Sequence, residues 1–231
     1  LTKINIYKNG EKNIAYFEDK YIIGKSDPNT DKFDVLIFAR RDIKKCVIPP
    51  FIKILAPYAF ANTSIEKVVI PSQITKIDIG CFDHCKNLKT IVIPPDSNLQ
   101  TIGKSAFSFT LIEDFCVPQN VVELSEYILY KCNNLKSVVI PQNSKCKKIN
   151  KLAFFSSSIE SLTISSNVCM LEKLWCFGCP NLVNIKIMPN NPCLSYYDDK
   201  FIIGKSDREK DEFDILYFAR RDLKVIIIPP F

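Results

Sequence analysis

Gly24, Lys25 and Ser26 carry the letters that close a phosphate-binding loop, and Gly204, Lys205 and Ser206 repeat them in a second copy. Such a loop also needs a glycine five positions earlier, between a strand and a helix, because its backbone amides must wrap the phosphates. Asp19 stands at that position and no helical pattern follows Ser26. Gly24 is therefore read as a turn or bulge residue, and Lys25, Ser26 and Asp27 as the solvated start of a loop. Asp27, Asn29 and Asp31 have the spacing that opens a calcium loop, whose oxygens would surround a hard cation. Lys32 fills the required glycine position and Phe38 the glutamate position, so a polar loop tip is the better reading. The second copy keeps Asp207, Glu209 and Asp211.

Ten cysteines and one histidine are the remaining candidates. Cys81, His84 and Cys85 look like half a zinc site, and Cys176 with Cys179 forms a C-x-x-C pair. His84 is placed in a turn, exposed, and no serine or cysteine nucleophile can be paired with it from the sequence. Whether any of these groups meet depends on the elements that carry them.

Those elements are repeats. The phrase L-x-x-I-x-I-P starts at Ile43, Ile65, Leu88, Ile112, Leu135, Ile159, Leu182 and Leu223, and a further coil start is placed near Leu1, across an interval longer than one period. A spacing of 22 to 24 residues from Ile43 to Leu182 is the period of a leucine-rich-repeat coil. Positions one, four and six of each phrase are apolar and must face inward; for the coil from Ile65 these are Ile65, Val68 and Ile70. The proline at position seven ends the strand because it cannot donate to a ladder. A second apolar ladder runs through Phe60, Phe82, Phe107, Leu129 and Phe154, with Trp175 and Cys176 where Ala-Phe is expected. One coil cannot bury these residues alone, so the coils must stack with parallel strands around a shared core. Lys44, Glu66, Lys89, Glu113, Lys136 and Glu160 alternate in sign from coil to coil, which predicts cross-strand pairs.

Two segments break the period, about residues 16–40 and 196–220. Each reads as a β-hairpin insertion standing off the solenoid, with β-rich runs around a loop of turn formers. The stretches Tyr21 to Phe51 and Phe201 to Phe231 are near-copies, so the chain is one super-repeat plus the start of the next.

Stacking settles the cysteines. Cys85, Cys132 and Cys179 recur every second coil, hence about 10 Å apart at strand spacing, beyond the roughly 7 Å limit for a disulfide. They are expected as buried thiols, and Cys81 and Cys85 lie nearly 20 Å, as an order of magnitude, from Cys176 and Cys179, too far to share a metal. No disulfide pattern, catalytic residue, cofactor or metal is expected.

The phrase together with C-F-x-x-C-x-N-L, as in GCFDHCKNL and SIEKVVIPSQITKI, resembles the BspA-like leucine-rich repeats of oral bacteria and trichomonads. The insertions FEDKYIIGKSD and YDDKFIIGKSD are similar to those of that family. The resemblance implies a leucine-rich-repeat solenoid with a parallel β-sheet on one face and short or helical turns opposite. It also implies a surface protein that adheres to host proteins, host cells or other microbes, without a catalytic role.

The surface is then the functional feature. Positions three and five of the phrase point outward, because side chains alternate across a strand. Val47, Val69, Val92 and Val139 form an apolar stripe, flanked by Lys67 and Asp114 and followed by Thr163 and Lys186, and this face is the expected protein-binding site. An intracellular interaction scaffold and a structural spacer are the alternatives. A net charge of +6, with lysines scattered among nearly as many acids, predicts no nucleic-acid partner. No apolar run reaches the roughly 20 residues of a membrane helix. The start LTKINIYKNG has no signal-peptide pattern and no Met, which predicts a segment of a longer protein. Uncovered coil faces around Leu1 and Phe231 predict self-association of the isolated segment.

Overall fold

A computed structural model describes residues 13–207 and 209–228. The coil start near Leu1 and the end at Phe231 lie outside them. Among the described residues there is no helix; the chain winds as a β-solenoid. It opens with β1 (Ile14–Phe17), β2 (Tyr21–Gly24) and β3 (Val35–Ala39). Two-residue and longer strands then alternate: β4 (Ile54–Leu55), β5 (Lys67–Val69), β6 (Lys76–Ile77), β7 (Thr90–Val92), β8 (Thr101–Ile102) and β9 (Asp114–Cys116). The alternation continues through β10 (Glu123–Leu124), β11 (Ser137–Val139), β12 (Lys148–Ile149), β13 (Ser161–Ile164), β14 (Met170–Leu171) and β15 (Asn184–Ile187). The second insertion supplies β16 (Leu194–Tyr197), β17 (Phe201–Gly204) and β18 (Ile215–Ala219).

The longer strands are the repeat phrases. They pair in parallel, β5 with β7 and β9 through β11 and β13 to β15, in the register the periodicity demands: Val68 opposite Ile91, and Phe115, Val138, Leu162 and Ile185 in one row. Ile65, Val68 and Ile70 are buried together, as expected for positions one, four and six. After β5 and β9 the proline closes a tight turn, with the amide of Ile74 donating to the Pro71 carbonyl and that of Val121 to the Pro118 carbonyl, both at 3.1 Å, and after β13 Ser165 takes the same place, accepting from the Val168 amide. The chain then enters the second wall, where β4, β6 and β8 pair in one parallel sheet and β10, β12 and β14 in another.

The third wall is made of turns. Each carries two left-handed residues four apart: Tyr58 and Asn62, Gly80 and His84, Ser105 and Phe109, Tyr127 and Lys131, Leu152 and Ser156, Leu174 and Gly178. That conformation aims alternate amides at the next coil. Tyr58, Phe60 and Asn62 donate to the carbonyls of Ile79, Cys81 and Asp83, each at 2.9 Å. The residues between them close local turns, Ala59 to Ala56 and Ala61 to Tyr58. Coil-to-coil hydrogen bonding thus continues where regular strands end, so the turn backbone is satisfied.

Inside, the Phe ladder stacks as the coils do. Phe60 lies 5.1 Å from Phe82 and Phe82 5.6 Å from Phe107, nearly face to face. The register also holds at the departure from pattern. The amide of Phe154 donates to the carbonyl of Trp175, so Cys176 occupies the Phe position and Trp175 the Ala position before it. Bulk is moved by one residue, and Trp175 packs edge-on against Phe154 at 5.9 Å.

Cys85, Cys132 and Cys179 are buried free thiols. Each donates to the carbonyl of the Phe one coil earlier, Phe60, Phe107 and Phe154, at 3.1, 3.2 and 2.9 Å. Each also meets the hydroxyl of Thr63, Thr110 or Ser157. The two-coil period therefore has a polar cause: a thiol in one coil satisfies groups in the preceding one. Of the alternating charges, Lys136 and Glu113 pair at 3.0 Å.

The structure differs from the sequence reading in five places. The insertions do form antiparallel hairpins, extended by a third strand, but the first does not stand off. β3 pairs in parallel with β4, so the order β1-β2-β3-β4-β6-β8 makes it the end of the second wall. Tyr21, Ile23, Leu36 and Ala39 form an inward apolar face that this packing buries. Gly24 lies in a strand beside a bulge, where a Cβ would meet the Ile37 side chain at 2.5 Å. Lys25 is not solvated: its side chain is 5% exposed, laid over the Phe33 ring and directed at Asp31.

The described residues of the phrases from Ile43 and Leu223 form no strands. The Val47 amide donates to the Tyr21 hydroxyl at 3.3 Å instead of to a ladder, and Val225 to Ile228 are exposed. Finally, Cys169 and Cys193 are joined by a disulfide, with Cα atoms 5.0 Å apart. Cysteines two coils apart are too distant to bridge, whereas these two lie on adjoining coils.

Replacing Phe107 by Ala is expected to cost about 3–5 kcal/mol in urea unfolding, because the stacked ladder cannot collapse around the gap. Removing the bridge as C169A/C193A is expected to cost about 3 kcal/mol. Val122→Ala, on the surface, should stay within about 0.5 kcal/mol.

Candidate functional site

The outward face of the long parallel strands is built by register alone. Lys67 lies opposite Thr90 and Val69 opposite Val92. Across the four-stranded sheet, Asp114, Ser137, Ser161 and Asn184 form one row and Cys116, Val139, Thr163 and Lys186 the other. Val69, Val92 and Val139 are 49%, 38% and 37% exposed, so the apolar stripe is accessible. Lys67, Asp114 and Lys186 are exposed, and Thr163 is half-buried. The Ser137 hydroxyl donates to the Asp114 carboxylate.

Seven of the eight residues expected at this face thus share it. Val47 does not: it is exposed, but it lies on the unpaired segment after the first insertion rather than on the sheet. Cys116 fills the gap in the outer row between Val92 and Val139, as its place in the phrase already signals.

At its Lys186 end the sheet meets the second insertion. Ser161, Thr163, Asn184 and Lys186 on one side, and Tyr196, Asp199 and Arg220 on the other, line an open polar cleft of about 400 Å³. The Arg220 guanidinium is held by the Asp222 carboxylate and by the Asp199 carbonyl at 3.2 Å. Sequence reasoning missed this cleft because its two sides belong to different repeat classes. The face therefore runs from apolar at Val69 to polar and cationic at Lys186.

The remaining candidate groups are occupied structurally. His84 is not free: Nδ1 lies 2.9 Å from the Asp83 carboxylate, and the ring stacks on Phe109 at 4.0 Å. Asp27 accepts from the Asn29 amide, and Asp34 from the amide and hydroxyl of Ser26, so these carboxylates shape the loop. Among the described residues, no three His, Cys, Asp or Glu side chains converge as a metal site. Burial pushes the thiols of Cys85, Cys132 and Cys146 up to about 11, which keeps them protonated and weakly nucleophilic at neutral pH. Cys176 is pushed to about 12, chiefly by burial, and receives a long contact from Arg221 at 3.6 Å.

The sequence model described as the BspA type leucine rich repeat region matches residues 53–183 and 117–201, in six copies. No curated protein matches the chain. Among solved structures, the pneumococcal vaccine antigen PcpA superposes with a TM-score of 0.67 at 19% identity, over 84% of this chain and 54% of its own. A leucine rich cell surface protein of Faecalibacterium prausnitzii superposes with a TM-score of 0.57 at 17% identity, over 83% of this chain and 58% of its own. A leucine-rich repeat protein of Eubacterium ventriosum gives 0.55 at 21% identity, over 61% of this chain and 36% of its own. The chain thus spans less than two thirds of each of these proteins, and at such identities the likeness is one of fold.

Thiol titration with Ellman's reagent should show one fast-reacting group in the native protein, Cys116, removed by Cys116→Ser. Eight thiols should react after denaturation and ten after denaturation with reduction of the bridge. Simultaneous reaction of several native thiols would contradict the burial described.

Proposed function

The chain belongs to the BspA-type leucine-rich repeat family, a family of protein-interaction repeats, and from that premise we propose that it is a non-catalytic adhesion module. In this reading it works at a cell surface and holds a protein ligand against the outward face of its long parallel strands. The observation that supports the proposal is the outward placement, strand after strand, of Val69 and Val92 on the β5–β7 pair and of Cys116, Val139, Thr163 and Lys186 on the four-stranded sheet. Apolar side chains exposed on rigid strands, with Lys67 and Asp114 beside them, supply desolvation energy with polar orientation at the edge. A stacked solenoid holds this surface at fixed spacing, so little ordering entropy is lost when a partner docks.

Surface location is supported by the family and by the likeness to the Faecalibacterium protein, itself a cell surface protein. No helix among the described residues is long and apolar enough to cross a membrane. The non-catalytic reading is supported by the state of the candidate groups: protonated thiols, a stacked histidine and loop carboxylates already engaged.

The test is retention of chain-coated beads on epithelial monolayers and on bacterial cells. The triple variant Val69→Lys, Val92→Lys, Val139→Lys should keep the native circular dichroism spectrum, since all three side chains point outward. Retention should fall at least tenfold. A folded triple variant that adheres like the parent would remove the sheet face from the account.

A further inference from the structure

The stack changes character at one seam, between the coil that carries β14 and the second insertion. In the turn wall the amides of Phe107 and Phe109 donate to Ile128 and Tyr130, those of Leu129 and Lys131 to Ala153 and Phe155, and those of Phe154 and Ser156 to Trp175 and Phe177. The corresponding amides of Cys176 and Gly178 find no backbone partner among the described residues. In the second wall the sheet β10-β12-β14 ends at β14, while β16, β17 and β18 form a sheet of their own. Ladders are also interrupted between β7 and β9 and between β8 and β10, but there the turn wall runs through. At the β14 seam both walls stop, and only the pairing of β13 with β15 carries on.

Packing is incomplete there as well. Leu171, Leu174 and Trp175 on one side and Ile215 and Leu216 on the other line an open crevice of about 950 Å³. The Trp175 indole N–H is buried without a hydrogen-bond partner among the described residues, although buried donors ordinarily find one. The first insertion, a near-copy in sequence, is fastened by backbone: β3 pairs with β4, the Ala39 amide donates to Ala59, and Arg41 donates to the carbonyls of Tyr58 and Ala59. The second is held to the β14 coil by side chains. Phe218 packs on Trp175 at 5.9 Å, Arg221 reaches the Cys176 Sγ at 3.6 Å, and Asn191 donates to the carbonyls of Ser165 and Val168. To these the Cys169–Cys193 disulfide adds the one covalent link. Asn13 stands at the position of Cys193 in the first copy, so the bridge belongs to the insertion that lacks a ladder.

We propose that the Cys169–Cys193 bridge is a reducible latch that keeps the second insertion seated on the coil of β14. A covalent link at the root of the insertion holds its apolar residues over Trp175 at high effective concentration, which replaces the missing ladders. Cys169 is half-buried, so a small dithiol can reach it. One thiolate of the dithiol attacks the Cys169 Sγ, and the electron pair of the S–S bond leaves with Cys193, which takes up a proton. The second thiol, as thiolate, then closes on the mixed disulfide, so the dithiol is oxidised and Cys169 leaves and is protonated in turn. The freed insertion swings away while the β13–β15 ladder stays. Trp175 and Phe218 are exposed, and Tyr196, Asp199 and Arg220 are withdrawn from the cleft at the Lys186 end of the sheet. The consequence for a ligand rests on the adhesion reading; the opening itself does not.

Trp175 is the only tryptophan, so its fluorescence reports the seam. Reduction of the native chain with dithiothreitol, checked on an aliquot by alkylation of Cys169 and Cys193 and mass spectrometry, is expected to move the emission to longer wavelength and to raise the acrylamide quenching constant at least threefold. Hydrogen exchange of the amides in 194–219 should quicken at least tenfold. Those in 14–39, of nearly the same sequence, should not change, because β3 stays paired with β4. The double variant Cys169→Ser, Cys193→Ser should match the reduced parent with or without dithiothreitol. Should it fold poorly, reoxidation of the reduced parent decides, and it should restore both readouts. The triple sheet-face variant keeps the bridge and should open on reduction as the parent does, so the latch and the adhesion reading fail separately. Unchanged quenching of Trp175 in the reduced chain, exchange quickened equally in both insertions, or a bridge that yields to dithiothreitol only after unfolding would each overturn the latch.

Discussion

No coil of this chain has an interior of its own. Ile65, Val68, Ile70, Phe60 and Phe82 become buried only because a neighbouring coil lies at strand spacing above or below. The same spacing must satisfy the backbone in all three walls, by parallel ladders in two and by left-handed turn residues in the third. Everything else follows from this requirement: residues that recur at the period are brought into rows, and residues that break it are moved to a seam. The sheet face and the thiol ladder are two such rows.

The thiols show how stacking decides chemistry. At a spacing of two coils they cannot reach one another, and each is instead absorbed by the Phe carbonyl and the Thr or Ser hydroxyl of the preceding coil. A buried thiol with two partners is an interior polar link rather than a nucleophile. Cys169 and Cys193 escape that fate because they are on adjoining coils, where stacking brings their Cα atoms within bridging distance. The bridge lies where the regular coils give way to the second insertion.

Much of this was legible in the sequence, because the period fixes which residues share a row. The inward triplets, the Phe ladder, the two-coil thiol spacing and the outward residues Lys67, Val69, Val92, Asp114, Val139, Thr163 and Lys186 all follow from counting. What counting could not give is whether a phrase has a ladder partner. The segments from Ile43 and Leu223 carry the right letters beside insertions, and Val47 ends on the Tyr21 hydroxyl. The seating of the first insertion on β4 was hidden for a related reason: its apolar alternation announces a buried face but not which wall receives it. The contacts among rings on the turn wall could not be counted out because the rings shift along the turn, with His84 and Phe109 at the second left-handed position and Tyr130, Phe155 and Phe177 one residue before it. Only the backbone geometry aligns them.

Distance measurement between spin labels tests the stack most directly. One label replaces Lys67 on β5 and the second replaces Ser161 on β13 or Asn184 on β15, all exposed or half-exposed outer positions in the long strands. Coil-by-coil stacking predicts separations of about 19 Å and about 24 Å, rising by one strand spacing between the two pairs. Equal separations, or a shorter distance to Asn184 than to Ser161, would contradict a single ordered stack and with it the rows on which each functional argument rests.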